Sequence, residues 1–129
     1  MLSVSTLDKY TNKHSRFVKI NRMMVHYRIE GEGFPLLLLH GTFYSLHTYN
    51  GWTKILSKQF KVIRLDLPGF GLTGPSKTAN YSINAYMRFL NKFLNTLEID
   101  QLHIAGSSLG GWLAWEYALL NPKKVKKLI

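Results

Sequence analysis

The stretch Leu102-His103-Ile104-Ala105-Gly106-Ser107-Ser108-Leu109-Gly110-Gly111-Trp112-Leu113-Ala114 decides how this chain is read. Leu102 to Ala105 reads as a short strand. A helix is predicted from Ser108 to about Leu120, stopped by Asn121-Pro122 because proline cannot continue a helix. The link between them is a turn bounded by Gly106 and Gly110, and Ser108 rather than Ser107 lies midway between the two. So sharp a strand-to-helix turn strains the backbone of its apex, and flanking glycines keep side chains out of the way. The apex hydroxyl then stands exposed at a helix N-terminus, whose dipole favours developing negative charge. This is the context of a nucleophile elbow. A Gly/Ser loop capping a helix, or a phosphate-binding turn, is the alternative. No Gly-Lys-Ser/Thr ends the turn, so it is not a P-loop. Gly110, Ala114 and Ala118 fall four apart, a stripe of small residues that lets the helix lie close to a sheet.

Working outward, Val125 to Ile129 starts one more strand. Upstream, Ile83, Tyr86, Leu90, Phe93, Leu94 and Leu97 recur at helical spacing behind a candidate N-cap, Ser82. A loop rich in glycine and proline, Pro68 to Pro75, separates that helix from a strand at Lys61 to Leu65. Leu36 to Leu39 is an apolar run without alternation, bounded by Pro35 and Gly41, as expected of a strand buried on both faces. A helix from about Tyr49 to Lys58 follows it, with Trp52, Ile55 and Leu56 on one face. Phe17, Val18 and Ile20, then Met23, Val25, Tyr27 and Ile29, form an extended pair around Asn21-Arg22. Arg22 departs from the Asn-Gly preference of a tight two-residue turn. Residues 1–15 read as a weakly ordered polar arm, and 16–129 as one folded unit.

Strands alternating with helices imply an α/β fold: a mostly parallel sheet covered by helices on both faces, here preceded by an antiparallel hairpin. Such sheets carry their sites at the carboxyl ends of the strands. Three marked sequences sit there: the Ser108 turn, His40-Gly41-Thr42-Phe43, and Asp66-Leu67-Pro68-Gly69-Phe70-Gly71. In order and spacing the three resemble the N-terminal half of the α/β-hydrolase family, over about Arg16 to Ile129, where Lys123 to Ile129 resembles the lead into the next central strand.

The resemblance implies a set of roles. Ser108 would be the nucleophile. The backbone N–H groups of Thr42 and Leu109 would form the oxyanion hole. Gly106 and Gly110 would be the elbow glycines. His40 and Gly41 would support the site loop, with the His40 ring bracing it rather than acting as base. Asp66 would structure its loop rather than serve as triad acid, and Thr73 stands where serine is common in the family. Haloalkane dehalogenases and epoxide hydrolases of this fold use an aspartate at the elbow. Ser108 therefore points instead to acyl transfer on an ester, lipid ester, thioester or C–C bond, with cofactor-free perhydrolases also open. The expected partner is a small acyl-containing substrate, with no cofactor and no metal. Trp112, Phe43 and Tyr44 could line an apolar pocket near Ser108 or belong to the core.

A serine nucleophile needs a base and an orienting acid, and in this family both follow the elbow. The 21 residues after Ser108 contain one carboxylate, Glu116, and no histidine. Histidines 14, 26, 40, 47 and 103 all precede it; His26 and His103 fall in predicted strands, while the loop carrying His40 and His47 borders the site. The expectation is a chain that lacks the acid, the histidine, the cap and the last strands, and is inactive alone. The competing reading is a non-catalytic binding module derived from a hydrolase. An uncovered apolar edge at Val125–Ile129 would favour self-association.

Composition excludes several classes. A 46% hydrophobic share and 19% charged residues suit a globular domain of 129 residues. With no cysteine there is no disulfide, thiolate nucleophile or Cys-based zinc site. The longest apolar stretch, Phe34 to Leu39, is far short of the ~20 residues a bilayer requires. No signal peptide opens the chain, so a cytoplasmic location is the default. The net charge is +10, but the basic residues are scattered apart from Lys123, Lys124, Lys126 and Lys127, and no nucleic-acid motif accompanies them. This reads as a solvated basic surface rather than a nucleic-acid or anionic-lipid interface.

Overall fold

A computed structural model describes residues 3–129. Its elements in chain order are α1 (Val4–Tyr10), β1 (Ser15–Ile20), β2 (Met23–Glu30), β3 (Phe34–Leu39), a 3-10 turn (Leu46–Tyr49), α2 (Asn50–Leu56), β4 (Phe60–Leu65), α3 (Ile83–Thr96), β5 (Leu102–Gly106), α4 (Leu109–Leu120) and β6 (Val125–Leu128). The six strands form one sheet in the order β1-β2-β4-β3-β5-β6. β4, β3, β5 and β6 run parallel, while β1 pairs antiparallel with β2, and β2 antiparallel with β4.

The hairpin turn is tighter than its sequence suggests. Ile20 pairs directly with Met23, and both linking residues take positive φ, 49° at Asn21 and 66° at Arg22. These are the signs a type I′ turn demands. Arg22 accepts the left-handed conformation because the sheet fixes both strand ends.

Alternate residues of the central strands build two apolar layers, one per face. Leu37, Leu39, Ile63, Leu65, Leu102 and Ile104 pack with α3 and α4 into the main core. There α3 contributes Tyr86, Leu90, Phe93 and Leu94, after Ser82 caps its start by accepting from the Ala85 amide at 3.1 Å. On the opposite face Leu36, Leu38, Val62 and Ala105 pack with Tyr49, Leu56 and Phe60 in a smaller cluster.

That second face shows two departures from expectation. The helix expected over Tyr49 to Lys58 divides into the 3-10 turn and a shorter α2 ending at Leu56. Its inward position is Thr53, 2% exposed, whose hydroxyl donates to the Tyr49 carbonyl at 2.7 Å and so can be buried. Trp52 and Ile55, read from spacing as its apolar face, are 51% and 70% exposed. They instead wall an open apolar groove of about 510 Å³ with Leu36, Leu38, Phe60 and Ile129. β6 closes the sheet as an edge strand, three of its four residues exposed.

Within the N-terminal segment, read from sequence as a polar arm, the structure places a short helix. Ser3 caps α1 by accepting from the Thr6 amide at 3.2 Å. No residue of α1 is buried, so the helix is held by polar contacts rather than by a core. No described helix is long and apolar enough to cross a membrane.

Candidate active site

The Ser108 turn is strained as its sequence implies. Ser108 has φ 57° and ψ −121°, a conformation costing a non-glycine residue about 1–3 kcal/mol. The surroundings enforce it. The Ser107 amide donates to the Leu39 carbonyl at 3.2 Å, and the Trp112 amide to the Ser108 carbonyl at 3.0 Å. Steric crowding fixes both glycines, since a Cβ on Gly106 would overlap the Gly110 carbonyl, and one on Gly110 would overlap that of Leu39. The α4 stripe thus lies against β3, with Gly110 and Ala114 buried. Ser107 and Ser108 both remain exposed.

The loop after β3 meets this turn. A Cβ on Gly41 would stand 3.1 Å from the Ser108 Cβ and 3.6 Å from the Tyr44 ring. Neither the Thr42 nor the Leu109 amide has a hydrogen-bond partner among the described residues. Phe43, at φ 65°, projects almost fully into solvent.

His40 lies under this loop, fully buried. Its Nδ1 donates to the Gly41 carbonyl at 2.8 Å, and its Nε2 accepts from the Leu67 amide at 3.0 Å. The ring therefore joins the loop after β3 to the loop after β4. Burial pushes its pKa below the ordinary histidine value, against smaller opposing effects of the Gly41 carbonyl and Asp66. With both nitrogens engaged, no lone pair is free to take a proton from a serine.

Asp66 is 1% exposed and ties three segments together. Its carboxylate accepts from the Leu46 amide at 2.8 Å, the Leu72 amide at 2.9 Å and His26 Nδ1 at 2.9 Å. Burial alone would raise its pKa, but the hydrogen bonds from His26, Leu46 and Leu72 and the pairing with His26 hold it below the usual carboxylate range. Thr73 closes the loop, its hydroxyl donating to the Asp66 carbonyl at 2.7 Å and accepting from the His26 amide at 3.0 Å. The hydroxyl shared by serine and threonine at this position is thus the part in use.

Sequence reasoning placed His26 in a strand and missed its partners. Its Nε2 meets Ser15 Oγ at 3.0 Å, so Ser15, His26 and Asp66 line up in the order of a catalytic triad. Donor counting assigns it a structural role. Ser15 Oγ already accepts from the Asn12 amide at 3.0 Å and Arg28 Nε at 3.2 Å, so its own proton goes to His26 and no lone pair remains free to attack. His47 is occupied likewise, with Nδ1 against Ser45 Oγ at 3.1 Å and Nε2 facing Arg28 Nη2 at 3.3 Å. Its pKa is lowered by burial first and by Arg28 second. His103, near the start of β5, packs against Phe34 with the rings tilted and lines the apolar groove, away from the carboxyl ends of the strands.

Of the three aromatics expected near Ser108, Phe43 and Tyr44 line a groove of about 580 Å³, and Trp112 does not. Among the described residues, no three His, Asp or Glu side chains converge as a metal site would require.

This strand–elbow–helix geometry agrees with the comparison to known families, in which residues 35–129 match the alpha/beta hydrolase fold. The chain belongs to the α/β-hydrolase family. Among curated relatives, a 2-hydroxy-6-oxo-2,4-heptadienoate hydrolase of Pseudomonas putida is 30% identical over 120 residues, covering 86% of this chain and 44% of that protein. A protein of Mycobacterium tuberculosis described as uncharacterized is 38% identical over 103 residues, 80% of this chain and 30% of that one. Among solved structures, a meta-cleavage product hydrolase of Pseudomonas fluorescens superposes with a TM-score of 0.82 at 30% identity, covering 88% of this chain and 43% of that chain. A bacterial membrane phospholipase A gives 0.84 at 28% identity, with 88% and 37% covered. The chain spans less than half the length of these relatives.

Proposed function

We propose that Ser108 is the nucleophile of a hydrolase acting on an acyl bond of a small molecule. The observation that carries this is the backbone at Ser108: an exposed serine held at φ 57°, ψ −121° at the start of α4. Strain kept at one exposed hydroxyl, and at no neighbour within the elbow, is what a presented nucleophile requires. The unpaired amides of Thr42 and Leu109 are the donors for the developing oxyanion. Ser108 Oγ attacks the carbonyl carbon, the leaving group departs with a proton, and water then cleaves the acyl-serine. Relatives named as hydrolases of an oxo-dienoate and of a phospholipid support a carbonyl-containing substrate. His26, His40 and His47 are already committed to structural partners and are not free to serve as the base for Ser108.

The test is a fluorophosphonate probe applied to the longest product of the gene, followed by peptide mapping. Label is expected on Ser108 and is expected to vanish in Ser108→Ala, together with ester hydrolysis. Label on another serine, or hydrolysis unchanged by the substitution, overturns the proposal. A second reading, a non-catalytic binding module, draws on the apolar groove beside α2. It requires ligand affinity in that groove and no label at Ser108.

A further inference from the structure

β2 and β4 place two arginines side by side. Their antiparallel register sets Arg28 directly opposite Arg64, so both side chains leave the same face of the sheet. Both are nearly buried, at 4% and 2% exposed. Like charges directly opposite repel, and a guanidinium cannot shed its proton to escape the cost. One carboxylate stands against the two cations. Glu30 Oε1 accepts from Arg64 Nε at 3.1 Å and from Arg64 Nη2 at 2.8 Å. Arg64 Nη1 donates to the Leu46 carbonyl and to Asn50 Oδ1. The charge and the donors of Arg64 are thereby matched.

Those of Arg28 are not. Its Nε donates to Ser15 Oγ at 3.2 Å, and its Nη2 donates to the Tyr10 carbonyl at 3.2 Å and faces His47 Nε2 at 3.3 Å. None of the three is an anion. Among the described residues Arg28 forms no ion pair, and its Nη1 has no hydrogen-bond partner. Burial first and Arg64 second push its pKa down, against smaller opposing effects of Glu30 and Asp66. A buried charge left unpaired is costly, and a counter-ion removes that cost.

The two arginines line one cavity of about 400 Å³, together with Asn12, Glu30, Asn50 and Lys54. Both amide side chains are committed through their oxygens. Asn50 Oδ1 accepts from Arg64, and Asn12 Oδ1 accepts from the His14 amide at 2.8 Å. Each NH2 group is left to donate. Around this cavity three cations therefore meet one carboxylate, and the donors without a partner outnumber the one free carboxylate oxygen. Positive charge and free donors in excess, gathered on a concave wall, are what an oxyanion requires.

We infer that this cavity binds a small oxyanion, a carboxylate or a phosphate, which pairs with Arg28 and is held by Asn12, Asn50 and Lys54. None of these residues belongs to the Ser108 elbow, and the inference does not rest on the reading of Ser108.

The probes are inorganic phosphate and acetate, each titrated into the longest product of the gene with ionic strength held constant by chloride. The Arg28 Nε–H and the Asn50 side-chain amide are followed by NMR, and the melting temperature alongside. Saturable shifts at both groups are expected, with a rise in melting temperature that chloride does not reproduce. The anion that binds more tightly assigns the chemistry to phosphate or to carboxylate. Arg28→Gln should weaken binding by at least about tenfold, the loss of one charge-assisted hydrogen bond. Because Arg28 also bonds Ser15 and Tyr10, a second variant leaves those bonds in place. Asn50→Asp keeps an oxygen for Arg64 and sets a fixed carboxylate in the cavity. It should lose the response to both anions and, in their absence, melt above the parent protein. A response no larger than that to chloride overturns the inference, as do shifts confined to residues outside the cavity. Anion binding by a folded Asn50→Asp protein as tight as the parent's overturns it as well.

Discussion

The turn at Ser108 and the loop at Asp66 stand at the ends of β5 and β4 in the same sheet, and they treat their polar groups in opposite ways. Around Asp66 every donor finds an acceptor: two loop amides and an imidazole close on one buried carboxylate. Around Ser108 the hydroxyl is exposed, the backbone is strained, and the amides of Thr42 and Leu109 have no protein partner among the described residues. A satisfied buried network contributes stability and rigidity. A strained, exposed serine contributes none, and its conformation persists only because the scaffold over-determines it. The two regions are mechanically linked, since His40 bonds the Gly41 loop to the Leu67 amide next to Asp66. The rigid loop holds the strained one in place.

The comparison breaks most visibly at Gly110. A Cβ there has only backbone to displace, the Leu39 carbonyl above all. Gly110→Ala is expected to cost more than about 4 kcal/mol in urea denaturation, the range of mutations that force the backbone to move. A loss under about 1 kcal/mol would mean that the elbow tolerates rearrangement and that its geometry is not enforced.

Next in size is Asp66→Ala, which leaves the Leu46 and Leu72 amides and His26 without their shared acceptor. A buried group left without its hydrogen-bond partner costs about 1–3 kcal/mol, so stranding three donors is expected to cost at least about 3 kcal/mol by thermal or urea unfolding. Thr73 grades the effect. Thr73→Ser keeps both hydrogen bonds and should cost under about 1 kcal/mol, whereas Thr73→Val strands the Asp66 carbonyl and the His26 amide and should cost about 1–3 kcal/mol. Equal losses in the two would mean that the methyl group, not the hydroxyl, matters.

Acidification probes the same region without mutation. The pKa of His40 is lowered, chiefly by burial, and that of His47 by burial and then Arg28. A depressed folded-state pKa means the unfolded chain binds protons first. Stability is therefore full above the ordinary histidine value of about 6.5 and declines as pH falls through it toward the folded values. Asp66, also depressed, adds a second decline only below the ordinary carboxylate value of about 3.9. The melting temperature should fall between pH 7 and 5, and less so in His47→Gln. A profile flat from pH 7 to 5 would show the rings to be more solvated than their positions imply.

The two regions differed as much in how legible they were. The elbow is local: five consecutive residues specify it, and Gly106, Ser108 and Gly110 can be read as a spacing. The Asp66 hub is not, because His26 lies 40 residues from its carboxylate and a histidine in an alternating strand carries no sign of which side chain it faces. The buried Arg28 and Arg64, paired across β2 and β4, were hidden for the same reason. The parallel sheet was legible from its unalternating leucines and its hairpin from period-two spacing. For α2, periodicity gave an apolar stripe but not its direction. Trp52 and Ile55 face an open groove while a threonine turns inward, since Thr53 can satisfy its hydroxyl on the Tyr49 carbonyl. In α1, β-branched and polar residues gave little helical signal, and the arginine that bonds its last carbonyl lies 18 residues away.

The smallest effect expected is also the most informative about Ser108, because its sign separates strain from ordinary turn geometry. Glycine takes φ 57°, ψ −121° with no Cβ penalty, so Ser108→Gly relieves the native strain while adding backbone freedom to the unfolded chain. Strain of about 1–3 kcal/mol, set against an entropic loss of about 0.5–1 kcal/mol, predicts a net gain of about 1 kcal/mol. Ser108→Ala keeps the Cβ and should gain nothing. A more stable glycine variant beside a neutral alanine variant would show that the serine is held against the preference of its own backbone, at a position where the fold itself would be better served by glycine. Two neutral variants would mean that the elbow is relaxed in solution, and the contrast with the Asp66 loop would then reduce to exposure alone.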